Sequence, residues 1–197
     1  MKSLYRAFRP WVAVMALLAV SGCSQAQEPC STKRDPEVPI GGAFELTDHQ
    51  GQPASNESYA GRYRVVYFGF TFCPDICPTE LQSISAALDM LGDDAAKIQP
   101  LFITVDPERD DVEAMAAYMS HFHPSFVGLT GTPEEIERTA QTFKIYYSKA
   151  PISDDPDDYT MNHSSLIYVM DCEGRYISHL RQGASPEEIA EALAALE

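Results

Sequence analysis

Val66-Tyr67-Phe68-Gly69-Phe70-Thr71-Phe72-Cys73-Pro74-Asp75-Ile76-Cys77-Pro78-Thr79-Glu80-Leu81, residues 66–81, is the stretch from which the rest of the 197-residue chain can be read. Apolar and aromatic residues from Val65 to Phe72 predict a buried strand, because β-branched and aromatic side chains fit a pleated interior surface. Beyond the cysteines, Leu81, Ile84, Leu88 and Leu91 recur at helical spacing. Cys73 and Cys77 therefore fall where a strand ends and a helix begins. Unpaired N–H groups and the positive end of the helix dipole favour thiolate over thiol there. Pro74 and Pro78 are tolerated because the first turn has no N–H partner to lose. The spacer puts the second sulfur about one helical turn from the first, so both can face one point. The pattern is that of a metal or redox site.

Working outward, Phe44 to Thr47 reads as a short strand entering the turn Asp48-His49-Gln50-Gly51. A strand over 64–72 and a helix over 78–91 follow, with Gly92 as its C-cap. Ile98 to Val105 predicts a second core strand ending at Asp106-Pro107. Val112, Met115, Ala116, Met119 and Phe122 give one helical face, opened by Asp110 or Asp111. Phe126 to Leu129 is a short strand. Thr132-Pro133-Glu134-Glu135 and Ser185-Pro186-Glu187-Glu188 are capping boxes with proline at the first helical position, each opening a helix. Residues 150–160 read as an acidic, proline-bearing loop. Leu166 to Met170 and Tyr176 to Leu180 make a hairpin about the turn at 171–174. Alternating strands and helices with a closing hairpin predict α/β architecture: a central mixed sheet flanked by helices, with an N-terminal hairpin, in a thioredoxin-like order.

Upstream, Lys2, Arg6 and Arg9 precede the uninterrupted apolar run Trp11 to Val20, 10 residues long. That is half of the roughly 20 needed to span a bilayer, so residues 1–22 read as an export signal. The run ends Val20-Ser21-Gly22-Cys23, which resembles a bacterial lipobox with Cys23 lipidated after cleavage. Residues 23–38 are polar and aperiodic, a tether for a domain over 39–197. Cleavage would remove three basic residues and no acidic one, taking the formal charge from −15 to −18. Such a charge argues against nucleic acid and anionic lipid as electrostatic partners, so membrane attachment would come from the lipid. The expected location is a bacterial membrane surface, with the domain facing the periplasm or the cell exterior.

Three motifs in register carry a family resemblance. Phe68 to Pro78, Thr104-Val105-Asp106-Pro107-Glu108-Arg109-Asp110, and Asp158-Tyr159-Thr160-Met161-Asn162-His163-Ser164-Ser165 together resemble the Sco/SenC family of copper-handling proteins that serve assembly of cytochrome c oxidase. The resemblance runs from about residue 40 to the end. It implies that Cys73, Cys77 and His163 bind one copper per domain, as Cu(I) or Cu(II). It also implies a functional acid at Asp106; Tyr159, read from its place in the third motif, is either a shield for the site or a packing residue. The implied function is a metallochaperone that delivers copper to, or prepares, the binuclear copper centre of the oxidase. Its partners would be the copper-site subunit or another copper chaperone, with a thiol reductase. The chemistry is consistent, since soft thiolates select Cu(I) and imidazole also suits Cu(II). Three protein ligands leave an open edge for transfer, whereas structural zinc wants a fourth.

Other readings stay open at this stage. A Cys73–Cys77 disulfide would make the protein a thiol–disulfide oxidoreductase, for instance one reducing the oxidase's copper-site cysteines. It could equally serve as a copper buffer or redox sensor. Copper delivery is not enzymatic in the turnover sense, whereas the oxidoreductase reading would make the protein an enzyme. Thioredoxins space their pair by two residues and place proline before the facing strand, where this chain has Asn162-His163-Ser164. Cys30 and Cys172 depart from the family pattern, and in an oxidising compartment they can pair with each other. His121 and His123 read as a solvated helix end, His49 and His179 as turn and strand surface. Asp154, Asp155, Asp157 and Asp158 read as a solvated loop close enough to His163 for a docking role.

Overall fold

The structure is a computed structural model that describes residues 38–196. The expected signal segment over 1–22, Cys23 as the expected lipidation site, Cys30 and all but the last residue of the expected tether lie outside the described residues. Strand β1 (Glu45–Asp48) and β2 (Pro53–Ser55) form the N-terminal hairpin. Then come β3 (Tyr63–Gly69), α1 (Ile76–Leu91), β4 (Ile98–Thr104), α2 (Val112–Met119), β5 (Val127–Thr130) and α3 (Pro133–Phe143). The chain closes with β6 (Tyr147–Pro151), β7 (Tyr159–His163), β8 (Leu166–Met170), β9 (Tyr176–Arg181) and α4 (Pro186–Ala194).

Seven strands make one sheet in the order β2-β1-β5-β4-β3-β8-β9. β3, β4 and β5 run parallel, and β1, β8 and β9 join antiparallel, so the sheet is mixed. Every residue of β3 and β4 is buried, as expected of central parallel strands covered on both faces. Their register, Tyr63 opposite Ile98 through Gly69 opposite Thr104, brings the ends of both strands to one edge. Leu81, Ile84 and Leu88 of α1 cap the sheet and are fully buried with Val65, Val66, Leu101 and Ile103. Each such side chain contributes roughly 1.5–3 kcal/mol through burial. The helix ends follow their sequence signals. Asp111 accepts from the Ala114 amide, both capping boxes form, and Gly92 closes α1 at φ 56°.

Three local expectations differ. β3 stops at Gly69 instead of running to Phe72, because the chain turns there, with the Cys73 amide donating to the Phe70 carbonyl at 3.3 Å. That turn leaves Phe72 62% exposed. α1 begins at Ile76, two residues early, so Pro78 occupies its third position, where no amide partner is lost. Residues 150–160 are only partly loop: β6 and β7 pair as a separate antiparallel ribbon, Tyr147 opposite His163 and Pro151 opposite Tyr159. Lys149 and Pro151 deny β6 an apolar run, and the alternation Tyr159-Thr160-Met161-Asn162 in β7 is too short to stand out.

Cys172, buried at the turn after β8, is disulfide-bonded. Its expected partner Cys30 lies outside the described residues. Among the described residues no helix is long and apolar enough to cross a membrane.

Candidate metal centre

The end of β3 builds the site. Gly69 is required by space: a Cβ there would stand 2.8 Å from the Phe102 ring and 2.9 Å from the Cys77 sulfur. The turn that follows is tied down by Asp110, a fully buried carboxylate at the start of the α2 segment. One of its oxygens accepts from the Thr71 hydroxyl at 2.5 Å; the other accepts from the Thr71 amide at 3.0 Å and the Thr104 hydroxyl at 2.6 Å. Burial raises the pKa of this carboxyl, and the threonine donors oppose the shift.

Cys73 is half-buried just before α1, and Cys77 is buried at its second position. Both are free thiols. The Cys77 amide donates to the Cys73 sulfur at 3.3 Å. The Cys73 thiol is lowered to about 5, chiefly by the hydrogen bond from the Cys77 thiol, with further help from the Cys77, Asp75 and Ile76 amides of the helix start. Cys77 is pushed strongly upward, because its proton is held toward Cys73 and because it is buried. The pair thus shares one proton, thiolate at Cys73 and thiol at Cys77.

His163 ends β7 and completes the group. Its Nδ1 lies 3.1 Å from the Ser164 carbonyl, a contact that needs a proton on Nδ1 and leaves Nε2 as a bare lone pair. Burial lowers its pKa and keeps it neutral. Nε2 stands 3.7 Å from the Cys77 sulfur. A thiolate sulfur about 2.3 Å and an imidazole nitrogen about 2.0 Å from one ion, at about 120° to each other, are separated by about 3.7 Å. The geometry therefore fits a shared ion between Cys77 and His163. The edges of Tyr67 and Phe70 hold the imidazole, with ring centroids 6.3 and 5.9 Å away. The Tyr67 hydroxyl is buried beside Cys77 and Ser165, and its phenol is pushed far up by burial and then by the neighbouring Cys77 sulfur. The donors are neighbours and not a closed cage: among the described residues no three His, Cys, Asp or Glu side chains form a ready-made cation cluster.

Asp106 and Tyr159 sit together, but neither carboxylate oxygen of Asp106 is free. One accepts from the Tyr159 hydroxyl at 2.9 Å and the other from the Arg109 Nε at 2.5 Å. Arg109 also donates to the Tyr159 carbonyl at 2.9 Å. Its guanidinium stacks 3.8 Å from the Tyr159 ring centroid and 4.8 Å from that of Phe72. Arg109 is thus a clasp joining the cysteine turn, the end of β4 and the ribbon that carries His163. Sequence reasoning gave Arg109 and Tyr67 no role and took Asp110 only as a possible helix cap, a place that Asp111 fills. The charged run Glu108-Arg109-Asp110 directly after a core strand was the one available signal, since charge in that place needs partners. His123 is structural, with its Nδ1 2.7 Å from the Ser125 hydroxyl and its amide on the Ser85 hydroxyl. His121 is exposed.

Comparison with known proteins decides the lineage. The family model described as SCO1/SenC matches residues 32–196. This chain belongs to the SCO1/SenC family. A SCO2-like protein of Rickettsia conorii is 41% identical over 156 residues, covering 79% of this chain and 76% of that one. The structure of Bradyrhizobium japonicum ScoI with copper bound is similar at a TM-score of 0.74 and 43% identity, covering 80% of this chain and 99% of that one. Yeast Sco1 with copper bound gives a TM-score of 0.74 at 35% identity, covering 80% and 88%. The fold of this SCO1/SenC protein is accordingly thioredoxin-like, with a mixed central sheet.

Proposed function

We propose that this SCO1/SenC protein binds one copper ion through Cys73, Cys77 and His163 and hands it to the binuclear copper centre of cytochrome c oxidase. The observation that carries this reading is the bare Nε2 of a neutral, half-buried His163 standing 3.7 Å from the Cys77 sulfur, with the Cys73 sulfur 3.3 Å from the Cys77 amide. Two thiolates and an imidazole accommodate both Cu(I) and Cu(II). Copper in the related Bradyrhizobium and yeast structures supports the choice of ion. Cys73 is already a thiolate at neutral pH, so loading Cu(I) expels one proton, that of Cys77. Transfer is ligand exchange, in which a partner's thiolate or thioether enters at the open side and the ion is never free. Asp106 and Tyr159 act from behind, by holding the strand that carries His163. Lipidation at Cys23 after removal of residues 1–22 would keep the domain at a bacterial membrane on a tether over 23–38, and a Cys30–Cys172 bond would fasten that tether.

A second reading rests on the unequal cysteines. An accessible low-pKa Cys73 beside a buried, protonated Cys77 is also the pattern of an attacking and a resolving thiol. The two readings separate in one comparison of the reduced protein with His163→Ala. Copper bound at one equivalent, with a Cu(II)–thiolate charge-transfer band that collapses in the variant, establishes the three-ligand site. Equal, weak copper binding in both, with brisk disulfide cycling retained, replaces it with thiol exchange.

A further inference from the structure

Exposed large hydrophobic side chains are few among the described residues: Phe72, Ile76, Met90, Tyr146 and Ile152. Three of the five flank the copper ligands of the proposed function. Phe72 precedes Cys73, and Ile76 precedes Cys77. Tyr146 is joined by its backbone to Ser164, next to His163, through the Ser164 amide on its carbonyl at 2.9 Å and its own amide on the Ser164 hydroxyl at 3.2 Å. Phe72 and Tyr146 are 62% and 66% exposed, yet each is held in place. Arg109 stacks on the Phe72 ring, and the Tyr146 hydroxyl donates to that of Ser148 at 3.1 Å. Fixed, solvent-facing aromatics lose little entropy on docking, as at the centres of protein interfaces.

The collar continues into a charged arm. Asp158 precedes Tyr159, whose ring shares the Arg109 guanidinium with Phe72. The loop over 152–158 is folded back on itself, with the Ile152 amide on the Asp158 carbonyl at 2.8 Å and the Asp157 amide on the Asp155 carboxylate at 3.0 Å. It exposes Asp154, Asp155, Asp157 and Asp158 together with Ile152. Among the described residues none of the four is ion-paired to Lys or Arg; the nearby cations Arg109 and Lys149 are committed to Asp106 and Glu108. The chain's formal charge of −15 adds to this field.

We propose that the collar of Phe72, Ile76 and Tyr146, with the acidic 152–158 loop beside it, docks a partner protein that presents its metal donors from an apolar patch edged with lysine and arginine. The apolar collar supplies residence and the acidic loop supplies encounter and orientation. The inference rests on the proposed copper function and names the chemistry of the recipient's face. A second copy of this chain is the wrong occupant on charge, since both surfaces are acidic.

The test measures association of the copper-loaded protein with the purified copper-site domain of its own organism's cytochrome c oxidase by surface plasmon resonance, across ionic strength. Phe72→Ser, Ile76→Ser and Tyr146→Ser are expected to weaken docking by about tenfold each at every salt concentration, mainly through faster dissociation. Changing all four aspartates to asparagine is expected to slow association about tenfold at low salt and little at high salt. Copper stoichiometry, measured on every variant, is expected to stay at the wild-type value for Ile76→Ser, Tyr146→Ser and the asparagine variant, none of which alters the Arg109 clasp. Docking unchanged by the collar variants overturns the inference while leaving the copper site standing. So does failure of the copper-loaded wild type to dock at all, or a collar that mediates self-association in sedimentation. A wild-type protein that holds no copper removes the proposed function and the inference together.

Discussion

The two parts of the site are held in different ways. Cys73 and Cys77 sit where the fully buried strand β3 turns into α1, the longest helix among the described residues, anchored from beneath by Asp110 through Thr71 and Thr104. His163 ends a two-stranded ribbon outside the main sheet and is kept at the sulfurs by the Tyr67 and Phe70 edges and by the Arg109 clasp on Tyr159. Two of the three proposed donors are therefore built onto the core, and the third is docked onto it. A site built this way can keep its thiol chemistry while its imidazole is displaced, which suits a protein that must release what it holds.

Removing a donor should have the largest effect. Cys77→Ser is expected to abolish copper binding, and His163→Ala to lower affinity by more than about 100-fold, beyond the loss typical of residues that merely orient ligands. Equilibrium competition against a chromophoric Cu(I) chelator measures both. If His163→Ala binds like wild type, the ribbon is not part of the site and the comparison collapses.

Loosening the clasp should come next. Arg109→Ala is expected to weaken copper binding by roughly 10–100-fold by freeing the ribbon. It should leave the alkylation profile of Cys73 unchanged, because that thiol is activated by α1 and Cys77 and not by the ribbon. A parallel shift in both readouts would show that the two parts are one rigid unit.

The thiols themselves sharpen the contrast through pH. In the reduced, metal-free protein Cys73 should be alkylated with a midpoint at about 5 while Cys77 stays unreactive at neutral pH. The folded pKa of Cys73 lies below its ordinary 9.0, so its contribution to stability is full above pH 9 and lost as pH falls through about 5. The stability gap between wild type and Cys73→Ser, followed by chemical denaturation, should close over that window. Asp110 and Glu80, raised by burial, act in the opposite sense in both proteins and cancel in the difference.

Cys172→Ser should touch the site least. Loss of its disulfide is expected to cost about 2–4 kcal/mol of stability with copper stoichiometry unchanged. Peptide mapping that links Cys172 to Cys30 would place the tether on the domain.

Much of this was legible beforehand. The order of strands and helices, the caps at Asp111, Thr132 and Ser185 and the closing Gly92 are local matters, written in spacing and capping chemistry. Cys73 and Cys77 were equally readable, because a strand-to-helix junction is a local pattern. The β6–β7 ribbon was not: its strands are short, polar at alternate positions and half-exposed, and they pair because their ends are held elsewhere. Asp106 was expected as a functional acid. Both of its oxygens are occupied by Tyr159 and Arg109, an arrangement across residues 106 to 159 that no local window contains.

The sequence alone determined the α/β order, the burial of β3 and β4, and two sulfurs at the start of a helix, since periodicity and helix-end chemistry act over a few residues. Only the tertiary structure decided that Nε2 and not Nδ1 of His163 faces Cys77, that the two cysteines divide one proton unequally, and that Phe72 points to solvent. Those outcomes depend on burial and on partners far away in the chain, and both come into being only when the sheet closes.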